Sequence, residues 1–117
     1  MTTAPRKRAR SVLADATPVF AALGDPTRFS IVARLCRNGP LSVVRLTDGA
    51  GVSRQAVSKH LRALSDAGLL SSRRVGRERL WAIEVRRLDE VRHCLEQISA
   101  QWDAALVRLR EFVDAQD

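Results

Sequence analysis

The chain has 117 residues and a formal net charge of +7, and 45% of it is apolar. That length suits one compact domain with a single core, the apolar share rules out disorder by composition, and no apolar run approaches the roughly 20 residues of a membrane-spanning helix. Cys36 and Cys94 are too few for a secreted disulfide framework, so a cytoplasmic, reduced setting is expected.

The positive charge is unevenly placed. Residues 1–10 carry Arg6, Lys7, Arg8 and Arg10 without an acid. Residues 53–79 hold seven cations against two acids, whereas residues 86–117 hold five arginines against seven acids. A polyanionic partner is therefore expected to meet the arm and the middle of the chain, not its end.

Residues 1–10 read as a flexible basic arm and residues 11–117 as one folded domain. From Ser11 a first helix places Val12, Ala16, Val19, Phe20 and Leu23 on one face. Pro18 either opens that helix at its first position, after Thr17, or kinks it. Gly24 ends it. Asp25 is a good N-cap with Pro26 next to it, and the second helix is expected to bury Phe29, Val32 and Leu35 before stopping near Asn38-Gly39-Pro40. Ser42 then caps a short third helix containing Val43, Val44 and Leu46, and Asp48-Gly49-Ala50-Gly51 forms a turn.

The next helix carries the most information. Ser53 caps it, Val57, Leu61 and Leu64 face inward, and Gly68 ends it in the left-handed conformation. Arg54, Gln55, Ser58, Lys59 and Arg62 are left facing out. Arg and Lys pair with guanine, Gln with adenine and Ser with either, so this face suits the DNA major groove. The free amides at the Ser53 end would attract a phosphate. His60 lies in the same helix and is expected to make a packing or phosphate contact. A short helix, a glycine turn and a helix with a polar front make a helix-turn-helix.

Beyond Gly68 the period changes. Residues 69–75 and 79–84 around Gly76-Arg77 read as a hairpin. Arg73, Arg74, Arg77 and Arg79 on so short a hairpin, beside the reading helix, mark a wing that reaches phosphate or the minor groove. From about Arg87 a long helix sets Leu88, Val91, Leu95, Ile98, Trp102, Ala105, Leu109 and Phe112 at alternating spacings of three and four, a helix–helix seam. The preceding helices already fill a core, so the seam is expected to meet a second copy, with Val19 and Phe20 of the first helix. The fold class expected is mainly α: a winged helix-turn-helix of about five helices with a two-stranded wing. No glycine-rich phosphate loop, nucleophilic triad or paired carboxylate is visible, so no enzyme and no cofactor is expected.

The chain resembles the ArsR-type family of bacterial winged-helix repressors. The resemblance spans about Pro18 to Val113. It rests on Ala22-Leu23-Gly24-Asp25-Pro26-Thr27-Arg28, on Ser53-Arg54-Gln55-Ala56-Val57-Ser58-Lys59-His60-Leu61, on Leu64 with Ala67-Gly68-Leu69-Leu70, and on the arginine-rich wing to Trp81. It implies a homodimer built from the first and last helices, bound to an inverted repeat of double-stranded DNA at a promoter and usually released by an inducer. Many members sense metals through a Cys-Val-Cys on the third helix, where this chain has Ser42, Val43 and Val44. Another family site needs His and carboxylate pairs along the last helix, where His93 stands with Asp89, Glu90 and Glu96. One His supplies too few N or S ligands, so no metal is expected. Some members use paired cysteines on the second and last helices as a thiol switch, which makes Cys36 and Cys94 an alternative sensor.

Overall fold

The computed structural model describes residues 16–116. The basic arm 1–10 and the expected helix start at Ser11 and Val12 lie outside them. In chain order the elements are α1 (16–23), α2 (Pro26–Asn38), β1 (Leu41–Ser42), α3 (Val43–Thr47), α4 (Arg54–Asp66), β2 (Leu70–Val75), β3 (Glu78–Ile83) and α5 (Val85–Gln116).

Three helices start where a short polar side chain takes up a free amide, as the cap residues predict. Asp25 Oδ2 accepts from Arg28 N at 3.0 Å, Ser42 Oγ from Arg45 N at 3.3 Å, and Ser53 Oγ from Ala56 N at 3.1 Å. Helix α4 closes in a Schellman motif. Gly68 N donates to Ser65 O and Leu69 N to Leu64 O, with Gly68 at φ +84°.

The three strands form one antiparallel sheet in the order β1-β3-β2. The two-residue strand β1 pairs Leu41 with Trp81 and Ser42 with Leu80, so the expected two-stranded wing has a third strand at its base. The core gathers Val19, Ile31, Val32, Leu35, Leu46, Val57, Leu61, Leu64, Leu69, Leu70 and Val91. Trp81 packs against it, with Nε1 buried and lacking an acceptor among the described residues.

Several expectations need correction. Residues 16 and 17 are already helical, so Pro18 does not open α1. Helix α5 begins at Val85, ahead of Arg87. Phe29 is 59% exposed, and α2 buries Ile31, Val32 and Leu35 instead. The inward face has Arg28, not Phe29, one turn before Val32, and Arg28 Nε donates to Ala22 O at 2.6 Å. Val19 and Val91, both assigned to a dimer seam, are buried inside the protomer's own core and have no surface to offer a partner. Leu88 packs partly against the same core.

Candidate nucleic-acid interface

Helix α4 is amphipathic because its apolar residues recur at helical spacing. Val57, Leu61 and Leu64 are wholly buried, and the exposed positions carry polar side chains. Arg54, Gln55, Ser58, Lys59 and Arg62 are all exposed and together line one groove of about 430 Å³. A single surface thus presents three cations, an amide and a hydroxyl. Its donors and acceptors can address both base edges and phosphates. Ser53, at the entry to the helix, is exposed but spends its hydroxyl on the cap.

His60 does not share this face. Its side chain is 22% exposed, and Nδ1 stands 4.0 Å from Asp25 Oδ2 at the start of α2. Position 60 falls three residues beyond buried Val57 and four before buried Leu64, which turns it toward α2. Of the two roles expected for His60, packing and a phosphate contact, this placement favours packing. Asp25 is held below the ordinary carboxylate range, chiefly by the hydrogen bond from Arg28 N and further by the charges of Arg28 and His60, against an opposing effect of desolvation.

The wing arginines are all exposed but do not form one cluster. Arg74 and Arg79 are opposite each other across the hairpin and share a sheet face, Arg73 pairs with Leu80 on the other face, and Arg77 is in the turn. Arg79 Nη1 donates to Ser72 Oγ at 2.9 Å, which ties that side chain across the hairpin to β2.

Sequence reasoning missed the arginines that hold main-chain carbonyls. Arg34 Nη1 donates to Leu46 O and Asp48 O, and its Nη2 donates to Arg45 O. Arg87 Nε donates to Ala67 O at the end of α4, and Nη1 to Glu90 Oε2 at 3.1 Å. No residue type announces a carbonyl acceptor, so such pairs leave no local signal.

The stripe along α5 changes character partway. Val91 and Cys94 are buried, but beyond them Leu95, Ile98, Trp102, Leu109 and Phe112 are open, with Trp102 66% and Phe112 63% exposed. Ala105 is exposed among them, as are Leu106 and Val113, two stripe members that the strict seam left out. Phe20 of α1 is 37% exposed.

The metal-ligand types do not converge. Among the described residues no three His, Cys, Asp or Glu side chains are placed to hold an ion. His93 Nδ1 instead lies 3.7 Å from Glu96 Oε2, and Arg92 joins Asp89 at 2.7 Å. Cys36 is exposed and Cys94 is buried, both as free thiols. No described helix is long and apolar enough to cross a membrane.

Comparison with known proteins agrees with this geometry. The helix-turn-helix domain family matches residues 23–73. The HTH-type transcriptional regulator Rv2034 of Mycobacterium tuberculosis is 37% identical over 97 residues, which cover 83% of this chain and 87% of that protein. Among solved structures, an ArsR-like transcriptional regulator from Rhodococcus sp. RHA1 superposes with a TM-score of 0.73 at 38% identity, covering 87% of this chain and 95% of that one. The homodimeric winged helix-turn-helix DNA-binding domain of a Mycobacterium bovis protein superposes with a TM-score of 0.61 at 27% identity, covering 80% and 85%. With its capped reading helix, its winged sheet and these relatives, the chain belongs to the ArsR-type family of winged helix-turn-helix transcriptional regulators.

Proposed function

We propose that this regulator is a sequence-specific repressor that binds a pseudo-palindromic promoter site as a homodimer, without a metal. The observation that carries the reading is the α4 groove, where Arg54, Gln55, Ser58, Lys59 and Arg62 converge. Arg54, Gln55, Ser58 and Lys59 would address base edges, and Arg62 with Arg73, Arg74, Arg77 and Arg79 would contact phosphates. The open outer half of α5, with Phe20 of α1, supports the dimer, because apolar area of this extent on a regulator calls for a partner. The homodimeric M. bovis domain supports the same assembly. No observation favours the thiol-switch alternative, since Cys94 is only 1% exposed and a buried thiol is inert.

The test is selection from a randomised duplex pool, followed by titration of the selected and scrambled duplexes at two salt concentrations. The proposal expects an inverted repeat to be enriched and affinity to fall steeply with salt. A chain that enriched no sequence would end the reading.

A further inference from the structure

Helix α3 has five residues, too few to satisfy its own backbone, and the turn behind it carries Gly49 and Gly51, which add no stiffness. Each carbonyl from Val43 to Asp48 nevertheless has a donor. Val43 O accepts from Thr47 Oγ1, Val44 O from Asp48 N and Thr47 O from Ala50 N. The other three accept from one side chain on α2. Arg34 Nη2 reaches Arg45 O at 2.9 Å, and Nη1 reaches Leu46 O at 2.9 Å and Asp48 O at 3.2 Å. The wholly buried Leu46 side chain anchors α3 from inside, and the guanidinium holds its main chain from the α2 side. The next helix to start is α4, capped at Ser53.

We infer that Arg34 is a positioning residue for DNA reading: its guanidinium sets the angle at which α3 and the turn deliver α4 to the major groove. This rests on the proposed DNA-reading function. The planar fork suits the task, because fixed N–H directions can serve several carbonyls at once, whereas a lysine ammonium is a point donor on a flexible stem. Arg34 is turned onto backbone oxygens, so it adds nothing to the count of phosphates neutralised. It acts on selectivity and leaves the general attraction to DNA in place.

The test compares the full-length parent with Arg34→Lys and Arg34→Met. The probes are the duplex selected by the parent and a scrambled duplex of equal length, well below the unfolding temperature of each variant. Arg34→Met is expected to lower affinity for the selected duplex by roughly tenfold or more, the scale of a lost charge-assisted set. Scrambled-duplex affinity should change less than about twofold, with the salt slope unaltered, because the phosphate contacts persist. Arg34→Lys should fall between parent and Arg34→Met. Amide hydrogen exchange over residues 45–53 should quicken in both variants without DNA. Equal losses on both duplexes, or full selectivity in Arg34→Met, would overturn the inference. Should Arg34→Met fail to fold, Arg34→Lys alone decides by the same two ratios. Unchanged exchange over residues 45–53 overturns the positioning role of Arg34 whatever DNA does, while a parent that prefers no duplex sinks the DNA-reading proposal and leaves the exchange result to judge Arg34.

Discussion

Gln55 differs from the cations around it in what it can tell about a base. Its amide offers a donor and an acceptor side by side, which match adenine, whereas a phosphate uses only the donor. Gln55→Ala should therefore lose ~1–3 kcal/mol of discrimination at one base pair and little elsewhere. Arg77, in the turn of the wing, is proposed for the other kind of contact, a phosphate. Arg77→Ala should weaken every duplex alike and lower the salt slope by about one. Titration of the selected duplex and its single-base-pair variants at two salt concentrations separates them, and identical profiles would refute the division of labour. A third residue-scale effect belongs to Asp25. Its carboxyl is held below its ordinary value, so the folded state favours the charged form. That contribution is complete above the ordinary carboxylate range and is lost as pH falls through it and below, where the cap must take up a proton. Asp25→Asn should remove this part of the acid sensitivity. Denaturation midpoints of parent and variant between about pH 6 and about pH 2 should thus converge, and parallel curves would show no linkage at the cap.

At the scale of elements, what could be read in advance was what depends on neighbours in the chain. Ser53 and Gly68 bracket α4 because a hydroxyl can reach an amide three residues on and a glycine can turn left-handed without a Cβ clash. Gly68→Ala tests this directly. The left-handed conformation costs an L-residue roughly 1–2 kcal/mol, and the new Cβ would lie 3.2 Å from Arg87 Nε, disturbing its bond to Ala67 O. A stability loss of about that size is expected in urea denaturation, and an unmoved midpoint would show that the turn relaxes freely. The exposed polar face of α4 was legible for the same reason, since α4 alone supplies all its side chains. What escaped was non-local. Strand β1 is two residues long and exists only because β3 lies beside it. Phe29 is a better apolar residue than Arg28, yet the face that meets Ala22 O is Arg28's, and no count of apolar spacing anticipates a guanidinium there. The motif leaves packing and phosphate contact both open for His60, and its neighbour Asp25, 4.0 Å away, lies far off in sequence.

For the whole molecule, the decisive feature is that one apolar stripe along α5 is buried at its start and open further on. Its first turns close the protomer's core through Val91, and its outer turns, with Trp102 and Phe112, are left open among the described residues. Pairing with a second copy, as proposed, would remove this apolar face from water. Trp102→Glu should therefore separate the copies while leaving the core intact, because Trp102 lies outside it. Sedimentation should find the parent as a dimer and Trp102→Glu as a monomer. The consequence for DNA follows from linkage: in the proposed dimer, two α4 helices would meet successive major grooves about 34–36 Å apart, and the second would engage at a raised effective concentration. Inserting about five base pairs, half a helical turn, between the half-sites should turn one of them away and cut the parent's affinity sharply. Trp102→Glu, reading each half-site alone, should be indifferent to the insertion. A parent equally indifferent would mean that its reading helices are not held at a fixed stride, and the dimer proposal would then explain none of its selectivity.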